Sequence, residues 1–385
     1  MKEIKEILQA YEAACDVGKQ VALATVVHVE GSSYRRPGAR MLITEDGQLT
    51  GAISGGCLEG DALRKAFLVM MQKATTLVTY DTNDEDDATL GLGLGCNGII
   101  QVLIEPINPN EENNPIQLLR HLASQRQQGS LVTLFSLTDK KSHYAGTWFL
   151  VTEKETIFRN NTPLNERFVE DARKVLNNEQ SEFKTYISGW NTISAFIEFV
   201  NRPISIIVAG AGNDVQPLIQ MASLLGWDTT VVDGRPDYAS TQRFLPSCKV
   251  LVAKPHEILN TIAIDQQTVF LLMTHNYNYD KSLLQLLLQK KLSYIGMLGP
   301  RKKFQRMLSE YKEEGLEISK QQLATVHSPV GLDLGAETPE EIALSILAEI
   351  KAILSTKAVL PLKDKAERIH SGFDSKMEEV RLHHH

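Results

Sequence analysis

Apolar positions recur at helical spacing in residues 2–20, where Ile4, Ile7, Leu8, Tyr11 and Ala14 fall on one stripe and Gly18 marks a stop. The next run, Val21–Val29, is apolar and β-branched without interruption, the pattern of a buried strand. Met41–Thr44 and Leu49–Ile53 flank a Glu45-Asp46-Gly47 turn and predict a β-hairpin. Gly55-Gly56-Cys57-Leu58-Glu59-Gly60 opens a predicted helix that runs to about Gln72, followed by strands at Thr76–Tyr80 and Ile99–Glu105. Beyond an Asn- and Pro-rich connection at 106–115, a helix is expected over Pro115–Gln128. The pattern then turns to strands at Leu131–Ser136, Tyr144–Leu150 and Glu155–Phe158, a helix at Phe168–Leu176 and a short strand at Thr185–Ser188. Residues 189–203 read as the approach to a new domain.

From Ile204 the pattern changes. Short apolar strands (Ile204–Val208, Thr229–Val232, Val250–Ala253, Val269–Met273, Ser293–Gly296) alternate with helical stretches (Val215–Leu225, Lys281–Gln289, Arg301–Tyr311). That alternation predicts a parallel, doubly wound sheet. A last helix, Thr338–Leu354, starts with Thr338 at the N-cap, Pro339 at the first helical position and acids in the first turn. The expected fold class is therefore α/β. A mixed α+β domain spans 1–200 (core 1–105, variable segment 106–200), and a Rossmann-like doubly wound domain spans 201–355. A polar tail covers 356–385, with its terminal His383-His384-His385 read as the remnant of an expression tag.

Composition narrows the function classes. The chain has 385 residues, 43% apolar and 23% charged, ordinary for a folded protein of two or three domains. Its 40 basic and 47 acidic side chains give a net charge of -7, which argues against nucleic acid as the main partner. No apolar run approaches the roughly 20 residues needed to cross a bilayer, so no membrane partner is expected. The opening Met-Lys-Glu-Ile-Lys-Glu has no apolar core of a signal peptide, so a cytoplasmic protein is expected. The four cysteines, Cys15, Cys57, Cys96 and Cys248, are too scattered for a disulfide framework and are expected as thiols.

The chemistry concentrates where glycines crowd. In Ile204–Val215, strand, Gly210-Ala211-Gly212-Asn213 and helix follow one another. Gly210 permits a tight turn, and Gly212 lets a phosphate approach the backbone beside a helix N-terminus. The third glycine of G-x-G-x-x-G is replaced by Val215, which weakens the dinucleotide reading. Asp233, 23 residues after Gly210, is placed to accept from a ribose or similar diol, and Arg235 follows as a second contact. Three polar runs lie at later strand ends: Thr274–Asp280 with His275, Gly296–Lys303 with Gly299 and Arg301, and His327–Ala336. In the first domain, Cys57 and Cys96 are flanked by glycines, and Cys57 stands near a helix N-terminus, which favours the thiolate. Such a thiol either reacts or packs as a small hydrophobe. Arg35, Arg36 and Arg40 either meet an anion or sit in a solvated loop. With no C-x-x-C and no His at ligand spacing, no metal site is expected.

Taken as a set, these motifs resemble the XdhC/CoxI family, maturation factors for molybdenum enzymes of the xanthine dehydrogenase and carbon monoxide dehydrogenase type. In the first domain the likeness rests on Gly31-Ser32-Ser33, Arg36-Pro37-Gly38, Gly55-Gly56-Cys57-Leu58-Glu59 and Gly95-Cys96-Asn97-Gly98. In the second it rests on Gly210-Ala211-Gly212, Asp233-Gly234-Arg235-Pro236, Tyr294-Ile295-Gly296 with Leu298-Gly299, and Pro329–Ala343. The resemblance implies a protein that binds the molybdenum cofactor (molybdopterin), helps it acquire its terminal sulfur with a cysteine desulfurase, and delivers it to an apo molybdenum hydroxylase. The residue reading and the resemblance together lead to the expectation that the cofactor lies between the domains, its phosphate on Gly210–Asn213 with rim contacts from Asp233, Arg235 and His275, and with Gly299 and Arg301 as further binding candidates. Cys57 and Glu59 are expected to face the metal end, with Cys96 as a further candidate thiol. Where the family tends to show Thr-His-Asp-His, this chain has Thr274-His275-Asn276-Tyr277, and Gly299-Pro300 replaces Gly-Ser; both weigh against catalysis on that rim more than against binding. The competing expectation is an oxidoreductase using NAD or a flavin on the same glycine loop, with Asp233 favouring NAD over NADP. A homodimer is expected from how common two-fold assemblies are.

Overall fold

The computed structural model describes residues 1–31, 33–81, 98–137, 145–159, 164–188, 191–364 and 378–381. They form two compact units, one of Glu3–Arg202 with the terminal strand Glu378–Arg381, the other of Pro203–Ala366.

The first unit is built on two sheets. In one, β1 (Val21–Gly31), β2 (Arg40–Thr44), β3 (Leu49–Gly51), β4 (Thr76–Asp81) and β5 (Gly98–Ile107) pair antiparallel in the order β3-β2-β1-β5-β4. Alternate residues of β1 serve opposite faces. Ala22, Ala24 and Val26 pack under α2 (Glu59–Gln72) through Ala62, Ala66 and Val69. Leu23 and Val27 face the other way, Leu23 beside the apolar stripe of α1 (Lys2–Asp16) and Val27 beside Phe135, Phe183 and Phe196 of the second sheet.

The second sheet comprises β6 (Gly129–Phe135), β7 (Gly146–Thr152), β8 (Thr156–Phe158), β9 (Glu182–Ser188), β10 (Asn191–Val200) and β17 (Glu378–Arg381), in the order β17-β9-β10-β6-β7-β8. Two helices of this unit, α3 (Pro115–Ser124) and α4 (Glu166–Asn178), start at Asn114 and Asn165, whose side chains accept from the first-turn N–H groups. Strand β10 falls where the sequence predicted only a connection. Its inner face, Ile193, Ala195 and Ile197, packs against Phe168, Ala172 and Val175 of α4. Its other face carries Phe196 and Glu198, so both faces hold large side chains and the period-2 pattern is blurred. Glu198 closes an ion pair on buried Arg40, and Arg35 pairs with Glu3; these arginines hold the unit together instead of presenting an anion site.

The second unit has six parallel strands: β11 (Ser205–Ala209), β12 (Asp228–Asp233), β13 (Lys249–Val252), β14 (Thr268–Leu272), β15 (Ile295–Met297) and β16 (Val326–His327). Their order, β13-β12-β11-β14-β15-β16, is the doubly wound Rossmann arrangement, and it reverses between β11 and β14. The strands are apolar on both faces because helices cover both. Ile206 and Val208 meet α5 (Val215–Leu224) and α10 (Pro339–Leu354). Ile207 and Ala209 lie in the cluster built with α6 (Pro255–Thr261), α7 (Tyr277–Leu287) and α8 (Arg301–Glu313). The short α9 (Lys320–Ala324) precedes β16. The signature run before α10 ends in a capping box: Thr338 Oγ1 accepts from the Glu341 N–H, and Glu341 Oε2 accepts from the Thr338 N–H.

Candidate functional site

The turn from β11 into α5 is fixed by its neighbours. Gly210 has φ +117°, and a Cβ there would overlap the carbonyl oxygen of Met273, just past β14. Only glycine fits so close a crossing. Val215, at the third glycine position, is fully buried in the core with Leu218 and Ile219. The outer side of the turn is furnished by this chain's own side chains. A Cβ on Gly212 would overlap Asp214 Oδ1, and Asp214 Oδ2 lies 3.0 Å from His275 Nε2. Arg243 donates to the Ala211 carbonyl at 2.7 Å and to Asn213 Oδ1 at 2.8 Å.

Asp233 ends β12 and is buried. Its Oδ1 accepts from the Arg235 N–H and Nε, both at 2.9 Å; its Oδ2 accepts from the Ala211 N–H at 2.9 Å and Arg235 Nη2 at 2.8 Å. A carboxylate offers about four acceptor sites, and four donors are in place. Burial alone would raise the Asp233 pKa, but the bidentate Arg235 and the two backbone N–H groups outweigh it and hold it below the usual carboxylate range. The residue expected to receive a ribose is thus engaged with its own loop. Arg235 stacks 3.8 Å over the Tyr238 ring.

At the carboxyl ends of β12, β13 and β14 lies a cavity of about 720 Å³, lined by Asp233, Gly234, Arg235, Lys254, Pro255 and Thr274–Tyr279. That volume falls within the range of small-molecule sites, roughly 300–1,000 Å³. Its walls are braced. Tyr279 OH donates to the Ala253 carbonyl at 2.7 Å, and Asn276 caps α7 by accepting from the Tyr279 N–H. Thr274 Oγ1 donates at 2.6 Å to buried Asp280, which also receives Lys303 Nζ at 2.6 Å. Lys303 thereby ties the start of α8 to the His275 loop, while Arg301 is exposed at the first position of α8, after Gly299. Of the expected residues, the cavity gathers Asp233, Arg235 and His275; Gly210–Asn213, Gly299 and Arg301 do not line it. Lys254, Asp214 and Arg243 were not singled out from the sequence. Lys254 was legible in principle, because it follows an apolar strand and precedes a proline at a helix start.

In the first unit the turn before α2 is organised around Ser54. Its Oγ accepts from the N–H groups of Gly56, Cys57 and Leu58, each at 3.1 Å, and donates to Glu59 Oε2. Glu59 Oε1 accepts from the N–H groups of Ile53 at 3.2 Å and Ser54 at 2.8 Å. Burial pushes the Glu59 pKa up, but these bonds prevail and lower it. The Glu59 carboxylate is thus turned onto its own loop, and Cys57 is left as an exposed thiol one residue outside the helix N-cap. Cys96 lies outside the described residues. Among the described residues, no group of three or more His, Cys, Asp or Glu is placed to hold a metal ion, and no helix is long and apolar enough to cross a membrane.

Comparison with known proteins matches residues 14–81 to the model of the XdhC and CoxI family and residues 206–350 to that of the XdhC Rossmann domain. A probable xanthine dehydrogenase subunit of Bacillus subtilis (strain 168) is 32% identical over 341 residues, 88% of this chain and 94% of that protein. The chain belongs to the XdhC and CoxI family. The matched ranges contain Cys57 and Glu59 in the first unit and the strand-end cavity in the second. The molybdenum cofactor insertion chaperone PaoD of Escherichia coli (strain K12) is 24% identical over 350 residues, 91% of this chain and 88% of that one. A crystal structure of a xanthine dehydrogenase from Bacillus halodurans superposes with a TM-score of 0.71 at 30% identity, covering 92% of this chain and 97% of that chain. The XdhC-type α/β fold is therefore shared along nearly the whole chain.

Proposed function

We propose that this protein is a maturation factor that binds the molybdenum cofactor and delivers it to an enzyme of the xanthine dehydrogenase type. Family membership and the names borne by the Bacillus subtilis and Escherichia coli relatives support the class of role. The observation that carries the binding reading is the strand-end cavity, with Arg235, Lys254, His275 and two tyrosines on its wall. These residues fit a cargo that combines an aromatic ring with a phosphate, since tyrosine faces suit the ring and cations suit the anion. They fit NAD less well, because the Asp233 carboxylate is filled by Arg235 and Ala211. The cofactor itself supplies molybdenum, dithiolene and terminal sulfur; the chain's part is to bind it, orient it and shield it from water.

In this reading, assistance with sulfuration falls to Cys57, whose exposed thiol stands at the tip of the turn before α2. Glu59 positions that loop. The partners are the apo-hydroxylase, a cysteine desulfurase and a second copy of the chain, and the setting is the cytoplasm. The test is a calorimetric titration of purified protein with molybdenum cofactor released from a molybdenum hydroxylase, with NAD(H) in parallel. Saturable cofactor binding without NAD(H) binding is expected; tight NAD(H) binding with hydride transfer and no cofactor binding would overturn the proposal. Cys57→Ala is expected to retain cofactor binding but to lose sulfuration of the delivered cofactor; full apo-enzyme activation by that variant would remove the thiol's role.

A further inference from the structure

The glycine turn and the cavity differ in what they offer an anion. At the turn, Asp214 stands against Gly212, and Arg243 is already bonded to the Ala211 carbonyl and Asn213. A phosphate approaching Gly212 would meet a carboxylate where the helix N-terminus should attract it; at about 4 Å two like charges repel appreciably even near a protein surface. Around the cavity the charges sum differently. Asp233 is matched by Arg235, and Asp214 Oδ2 is hydrogen-bonded to His275 Nε2. Lys254 is exposed on the cavity wall and forms no ion pair among the described residues. Its backbone N–H donates to Glu257 Oε2 at 2.7 Å, while its ammonium has no ion-pair partner among the described residues on the wall of the cavity of about 720 Å³ that it shares with Asp233. Asn276 caps α7 and Asn278 lies in its first turn, with Tyr277 and Tyr279 beside them on the cavity wall.

We propose that Lys254 is the anion-holding residue of the Rossmann unit, so that the phosphate of a ring-bearing ligand sits in the β12–β13–β14 cavity and not on the Gly210–Asn213 turn. The ring of that ligand lies toward Tyr277 and Tyr279. A pterin phosphate and a nucleoside diphosphate share this chemistry. The identity of the cargo rests on the function proposed above; the location of the phosphate does not.

The experiment titrates wild type, Lys254→Ala, Lys254→Arg and Gly212→Ala with three probes: isolated molybdenum cofactor, ADP and inorganic pyrophosphate. Circular dichroism confirms folding, which exposed Lys254 should not affect. Loss of one charge-assisted bond should weaken cofactor and pyrophosphate binding roughly ten- to a hundredfold in Lys254→Ala. Lys254→Arg should restore most of it, and Gly212→Ala should stay within about threefold of wild type. Loss of binding in Gly212→Ala with Lys254→Ala unaffected overturns the inference. Cofactor binding that ignores Lys254 also overturns it while leaving the proposed cargo standing. Lys254-dependent binding of pyrophosphate or ADP, without cofactor binding, supports the site and removes the cargo.

Discussion

The two glycine turns, Ile53–Glu59 before α2 and Gly210–Asp214 before α5, look alike in sequence and are finished differently. In the first, Ser54 and Glu59 absorb the backbone N–H groups and leave a thiol, Cys57, exposed at the tip. In the second, Asp233 takes the Ala211 N–H, Arg243 takes the Ala211 carbonyl and Asn213 Oδ1, and Asp214 stands against Gly212; the exposed cation, Lys254, stands one strand away on the cavity wall. Glycine in these signatures marks how tightly the chain must bend. What a ligand meets is set by the side chains that close over the bend.

The comparison can be broken at the glycines themselves. Gly210 and Gly56 have nearly the same φ, +117° and +113°, but a Cβ at Gly210 strikes the Met273 carbonyl and one at Gly56 meets nothing within 4 Å. Gly210→Ala should therefore cost the second unit roughly 3 kcal/mol, the sum of a strained dihedral and a backbone clash. Gly56→Ala should cost the first unit only about 1 kcal/mol, from the dihedral alone. Denaturant unfolding of each variant reads both, and equal costs would mean that the surroundings of Gly210 do not matter.

Next in size is the Asp233–Arg235 pair. Asp233→Asn keeps the shape but halves the acceptors and leaves a guanidinium with no charge partner, for a loss of roughly 2 kcal/mol. It should not abolish ligand binding if the carboxylate serves the loop; a large loss of affinity with unchanged stability would return Asp233 to a ligand role. Glu59→Gln should cost about 1 kcal/mol, since backbone N–H groups still find an amide oxygen.

The smallest effect is on pH. Glu59 and Asp233 both titrate below their ordinary values in the fold. For depressed carboxylates the stabilisation is complete above the unfolded pKa and disappears as pH falls through the folded one. Stability should therefore decline below about pH 4, and Glu59→Gln should flatten that decline for the first unit alone. The pH dependence of each unit's unfolding midpoint checks this.

Much of the second unit was legible because parallel strands buried on both faces read as unbroken apolar runs, as Ile204–Val208 and Val269–Met273 do. Strand β10 was not, because Phe196 and Phe199 put bulk on both of its faces, and β17 was not, because a four-residue edge strand in a polar tail carries little pattern. At the site, Asp233, Arg235 and His275 were legible from strand ends and spacing. Arg243 was not, since a single cation in a loop looks the same in sequence whether it faces solvent, a carbonyl or a cavity; Lys254 was marked by its place between an apolar strand and a helix-start proline, but not as a cavity residue. Glu59 was legible as a notable acid but not in its direction, which depends on Ser54 five residues earlier.

The central claim is a location, so a structure of the protein bound to the molybdenum cofactor tests it most directly. The account predicts phosphate oxygens within hydrogen-bond distance of Lys254 Nζ in the cavity beside Tyr277 and Tyr279, with Asp214 still against Gly212. A phosphate seated on the N–H groups of Gly212 and Asn213, with Asp214 displaced, would contradict it.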